Sequence, residues 1–312
     1  MVVWVAILLL SACSGSRKQE LQAGGLTGDI QLSGAFALYP MAVKWAEEFK
    51  KIHPNVRFDV SGGGAGKGMT DVLARVVDIG MVSREIYSEE TEKGALGFAT
   101  VKDAVVLTIN AGHPDVAALK RTGLTKNVAK RLWNGEFKTW GQAFGIDSNV
   151  PVHVFTRSDA CGAASTFAAW FDARQEQLKA TAVFGDPGVA DAVRKDKAGI
   201  GYNNIAYAYD QKTKKTFAGL DVLPIDVNEN GVVDPEEDFY QSTGSLVDAI
   251  RDGRYPSPPA RDLYFVTCGK PVKPAVIAFL EYVLTEGQQF VGETGYIGLN
   301  EEKLTEELLK LN

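Results

Sequence analysis

At 312 residues, 45% apolar and 23% charged, the chain can bury two ordinary cores and lies far from a disordered composition. Its formal net charge of −6 excludes general nucleic-acid binding, which needs a basic face. The same charge leaves small-anion capture open, because a few local donors set the field at a site.

Residues 1–10 form a short apolar run that ends in Leu10-Ser11-Ala12-Cys13. An apolar stretch closed by small residues reads as an export signal, and the last four residues resemble a bacterial lipobox. The expectation is a signal peptide over 1–12, cleavage before Cys13, a lipid on its thiol, and a polar tether over 13–27. The protein is then expected in the cell envelope, exported and membrane-held by that anchor alone. With Cys13 acylated, Cys161 and Cys268 remain; nothing in their spacing suggests a disulfide framework, so two free thiols are expected.

In chain order, Asp29 to Gly34 reads as a strand ending in a small-residue turn. Pro40 to Lys51 carries Met41, Ala42, Trp45, Ala46 and Phe49 at helical spacing. A second strand, Asn55 to Val60, leads through a Gly-rich turn to a helix through Val72, Leu73, Val76 and Val77, and then to the strand Asp78 to Val82. Repetition of strand, turn and helix predicts an α/β protein with a largely parallel sheet. The hydrophobic strand Val105 to Asn110 is expected to carry the chain into a second α/β lobe. That lobe holds helices over Thr125 to Trp133 and around Thr139-Trp140, the strand Val152 to Phe155, and a helix from Ala163 to Glu176. The expected lobes are 28–108 with 221–312, and 109–220; Pro274 to Leu284 is an amphipathic helix near the end.

Three turns share one plan, a strand end, a bend of small residues and a helix start: 33–37, 62–68 and 161–164. A helix start leaves backbone N–H groups unpaired and carries partial positive charge, and small side chains let an anion approach the backbone. Arg157 stands four residues before the third turn. Through Ser33–Phe49, Val60–Ile86, Leu124–Trp140, Arg157–Phe167 and Gly199–Tyr202 the chain resembles the phosphate-binding proteins of ABC importers, of the type II periplasmic-binding fold. The resemblance implies two α/β lobes with two crossovers, an anion held without its water in the cleft between them, ABC permease subunits as partners, and a monomer.

Carried over residue by residue, the resemblance implies ligand contact at Ala35, Phe36 and Ala37 in the first turn, and at Ala65 and Gly66 in the second. In the third turn it implies contact at Cys161, Gly162 and Ala163, with Ser83 following the third strand. Arg157 pairs with the ligand and Asp159 fixes that arginine. Where the family places hydroxyls, this chain has Ala35, Phe36, Ala37, Ala65, Cys161 and Ala163. A hydroxyl both donates and accepts, so backbone amides, Arg157, Ser83 and the weak thiol donor of Cys161 are left to hold the anion; Lys67 reads first as a solvated helix-end lysine and second as a compensating charge. Ordinary phosphate or a related tetrahedral oxyanion is expected. The alternatives are another small solute on the same fold, or a sensor without a transporter. An enzyme using Cys161 is the weakest reading, because no second motif residue accompanies that thiol.

A separate motif, Asp226 to Glu237, fits a twelve-residue calcium loop. Side-chain oxygens fall on Asp226, Asn228, Asn230, Asp234 and Glu237, Gly231 occupies the turn position, and the Val232 carbonyl supplies the seventh place. A structural Ca²⁺ is expected there.

Overall fold

The computed structural model describes residues 25–312; the expected signal peptide, Cys13 and nearly all of the tether lie outside the described residues. The first lobe is built from β1 (Gly28–Gly34), α1 (Tyr39–Ile52), β2 (Val56–Gly62), α2 (Ala65–Leu73), β3 (Ile79–Val82) and α3 (Ser88–Glu92). A 16-residue strand, β4 (Ala95–Asn110), leads to α4 (Val116–Thr122), α5 (Lys126–Trp133), α6 (Trp140–Phe144), β5 (His153–Arg157) and α7 (Gly162–Trp170). Then come β6 (Thr181–Val183), α8 (Gly185–Lys195), β7 (Gly199–Asn204), α9 (Ile205–Ala208), β8 (Leu220–Val222) and α10 (Thr243–Arg251). The chain closes with β9 (Ala260–Cys268), α11 (Pro274–Leu284) and α12 (Glu301–Leu309).

Strand order is β2-β1-β3-β9-β4-β7-β5-β6, with β8 also on β4. The wings are parallel, whereas β9, β4, β7 and β8 meet antiparallel. The expected parallel character therefore holds only away from the centre. β4 pairs with β9 as far as Ala104 and with β7 from Val105 onward, so one strand serves both lobes. It is buried along nearly its whole length, as a strand covered on both faces must be.

Each lobe has its own core. Trp45, Phe49, Phe98, Phe265 and Phe279 fill the first; Trp133, Trp140, Phe167, Phe171 and Tyr202 fill the second. The apolar spacing read in α1 puts Met41, Ala42, Trp45, Ala46 and Phe49 on its buried face, and the Trp45 indole N–H donates to the Gly287 carbonyl at 2.8 Å. Each large side chain of this kind is worth roughly 1.5–3 kcal/mol of burial.

The expected return to the first lobe at 221 is displaced. Val222, Leu223, Ile225, Phe239, Tyr240, Leu246, Ile250 and Tyr255 all pack into the second core, so the chain returns only at β9, near residue 260. The acidic loop 226–237 interrupts the run that a boundary at 221 would have continued. The helix expected over 163–176 stops at Trp170, and Asp172 turns into positive φ (58°).

Candidate anion-binding cleft

The three turns meet because glycine lets backbones approach. At Gly34 (φ 133°) an added Cβ would sit 2.8 Å from the Gly68 Cα, so the first and second turns are in direct contact. Across the lobes, a Cβ on Gly64 (φ 87°) would lie 2.7 Å from Asp159 Oδ2 and 2.9 Å from the Ala160 carbonyl. The Gly66 N–H donates to that carbonyl at 3.0 Å. Gly162, first residue of α7, lies so close to the Ser83 carbonyl and hydroxyl that any Cβ there would overlap both. The lobes are thus closed on one another at the turns.

Arg157 stands at the end of β5, behind the third turn, with only 4% of its surface exposed. Its Nε donates to Asp159 Oδ1 at 2.8 Å and Nη2 to Asp159 Oδ2 at 2.5 Å, the bidentate fork that suits a carboxylate. Its Nη1 donates to Asp186 Oδ2, and its face lies 5.5 Å from the centre of the Phe36 ring. Burial works against the guanidinium charge, but Asp186 and Asp159 outweigh it and hold the arginine above its ordinary range. Asp159 is itself fixed by the Gly185 N–H at 3.1 Å. The loop behind it is clamped by Gln175, which donates to the Asp159 carbonyl and accepts from the Cys161 N–H.

The residues read from the sequence divide into several roles. The Ala35 N–H is taken by the Met81 carbonyl and the Gly66 N–H by Ala160, which withdraws both amides from an anion. The N–H groups of Phe36, Ala37, Ala65, Gly162 and Ala163 have no protein acceptor among the described residues. Phe36 does more than offer an amide: its ring packs against Gly62 and Gly185 and edge-on to Phe184, filling the space beside Arg157. Ser83 is buried against Gly162. Lys67 is neutralised by Asp71, which also accepts the Ser33 hydroxyl at 2.6 Å.

Cys161 caps α7, its sulfur accepting the Ala164 N–H at 3.4 Å. Burial pushes its thiol up to about 12 against the pull of Arg157, the direction opposite to that of an activated thiolate. Both described cysteines are free. Iodoacetamide at neutral pH is expected to label the partly exposed Cys268 and spare Cys161. Equal labelling of the two tryptic peptides by mass spectrometry would refute this.

Sequence reading missed Asp186. Its signal was present, because Val183-Phe184-Gly185-Asp186 repeats the strand, glycine and helix plan of the other three turns. Asp186 is therefore a second carboxylate on Arg157, its two oxygens taken by Arg157 Nη1 and the Asn204 N–H.

Two α/β lobes joined by shared strands, with helix starts and a buried arginine at their junction, define a type II periplasmic-binding fold. The chain belongs to the PBP superfamily, whose domain model matches residues 21–286. It is similar to the phosphate-binding protein PstS of Methanocaldococcus jannaschii, at 25% identity over 96% of this chain and 90% of that one. PstS of Staphylococcus haemolyticus is 24% identical over 98% and 93%. Among solved structures, a Clostridium perfringens chain crystallised with bound phosphate matches 88% of this chain and 100% of its own, with a TM-score of 0.71 and 20% identity. An ABC-type phosphate transport receptor of Vibrio cholerae matches 86% and 100%, with a TM-score of 0.63 and 19% identity.

Proposed function

We propose that this chain is an extracytoplasmic solute-binding protein that captures phosphate, or a related tetrahedral oxyanion, and delivers it to the permease of an ABC importer. The observation that carries the reading is the meeting of three helix starts, five of their N–H groups without a protein acceptor, beside the buried Arg157. The relatives named PstS and the phosphate-bound neighbour support the same ligand class. Calorimetric titration with phosphate, arsenate, sulfate and molybdate tests it; heat from a neutral solute and none from any oxyanion would mean the ligand has been exchanged. The protein acts as a monomer in this reading, and a lipid on Cys13 holds it at the membrane. If Cys13→Ser leaves the chain in the membrane fraction, the anchor is wrong.

Calcium in the loop 226–237 belongs to the same reading. Asp226 accepts the N–H groups of Asn230 and Gly231, and Glu237 accepts those of Val227, Asn228 and Asp234, so the loop is wound around these two carboxylates. Among the described residues no three His, Cys, Asp or Glu side chains are already gathered round one point. The Asn228 and Asn230 amides instead donate to Asp234 Oδ2, each at 2.8 Å, and Ca²⁺ would have to turn both amides over to present oxygen. Chelation is expected to lower the melting temperature by several degrees, and Asp226→Ala to remove that dependence. A melting curve indifferent to chelator would dismiss the metal.

A further inference from the structure

The lobes join where β4 passes from β9 to β7. Register there places Asp103 opposite Arg261 and Val105 opposite Asn204. Arg261 belongs to the first lobe but reaches into the second. Its Nη1 donates to Thr166 Oγ1 on α7 at 3.0 Å, and its Nη2 donates to Asn204 Oδ1. Its own cross-strand partner, Asp103, lies 3.7 Å away, beyond hydrogen-bonding distance. The tight bonds of this arginine therefore cross the hinge.

They continue to the cleft. The Asn204 backbone N–H donates to Asp186 Oδ1 at 3.1 Å, and the Asn203 side chain holds the Asp186 carbonyl at 2.8 Å. The other Asp186 oxygen takes Arg157 Nη1. Arg261, Asn204, Asp186 and Arg157 form one buried polar chain, each member at most 8% exposed. Bonds of this kind in a low-dielectric interior reinforce one another, and an unmet member is costly, so the chain tolerates few alternative arrangements. A second route passes through Thr166, since α7 begins with the Gly162 and Ala163 amides of the third turn.

We propose that Arg261 is a positioning residue for anion capture: it ties Asn204 and α7 to the crossover strands and, through Asp186, sets the orientation of Arg157. Closure of the lobes and presentation of the guanidinium then occur as one event. The proposal rests on the anion-binding reading above, and extends it from the cleft to the hinge.

Two variants separate this role from a general loss of packing. Arg261→Lys keeps a cation beside Asp103 but cannot reach Thr166 and Asn204 together. Asn204→Ala removes the Oδ1 acceptor and keeps the N–H that serves Asp186. Each is expected to weaken phosphate binding about tenfold, a coupling typical of residues in one network. In an Asp186→Ala background, where the branch through Asn204 is cut and the one through Thr166 is not, Asn204→Ala should cost less than about twofold. Equal losses for Asn204→Ala in both backgrounds, or no loss in either, would overturn the proposal. In ¹⁵N spectra of the full chain the Arg157 Nε–H resonance is expected to move in both variants without any ligand. A fixed resonance would also overturn the proposal. Failure of the unaltered protein to bind phosphate would count against the functional reading alone, because that resonance still reports the link.

Discussion

Arg157→Ala is expected to reduce phosphate affinity by at least about 100-fold and to destabilise the fold by about 3–5 kcal/mol. Both effects have one origin. The guanidinium satisfies two buried carboxylates, Asp159 and Asp186, and lies over the Phe36 ring of the first turn. Removing it leaves an anion without its counter-charge and two carboxylates without theirs. The two losses can be separated by also removing one carboxylate: Arg157→Ala with Asp186→Ala should recover much of the melting temperature and none of the binding. Restored binding in that double variant would show that Arg157 is a structural ion-pair partner and no ligand group.

Gly162→Ala is expected to be nearly as severe, through sterics instead of charge. Its Cβ would overlap the Ser83 carbonyl, a backbone atom in the opposite lobe that cannot swing aside as a side-chain end can. The lobes must part to admit the methyl group, and anion contacts assembled from both sides weaken together. An affinity loss of about tenfold or more, with a larger radius of gyration in solution scattering, is the expected pair of results; a contact misplaced by about 1 Å suffices for such losses. Unchanged scattering together with unchanged affinity would mean that the contact between Gly162 and Ser83 is not needed for capture.

Much of this arrangement was legible in the residues because its causes are local. Helix α1 follows from apolar spacing and a proline in its first turn, and the three turns from glycines at positions that demand positive φ or close backbone approach. Arg157 and Asp159 stand two apart, and it was the resemblance to phosphate-binding proteins that implied the fork between them. What escaped depends on distant pairing. Asp186 faces Arg157 across 29 positions, and Arg261 meets Asn204 across 57. The lobe boundary was misplaced for a related reason. Strand β8 looks like a return strand, but its partner is the far end of β4, and only the sheet reveals which half it joins. No local pattern tells which half β8 joins, whereas the turn before Asp186 did carry the strand, glycine and helix plan.

The pairing of Arg157 with two carboxylates also has a consequence for the response to salt. One arginine against Asp159 and Asp186 gives these three side chains a formal charge of −1 before any ligand arrives. An anion is therefore held by short-range amide donors and not by net positive charge, and contacts buried in this way are screened little by salt. Affinity measured from low to high ionic strength should change by less than about threefold. A steep fall with added salt would show that a long-range field does the holding.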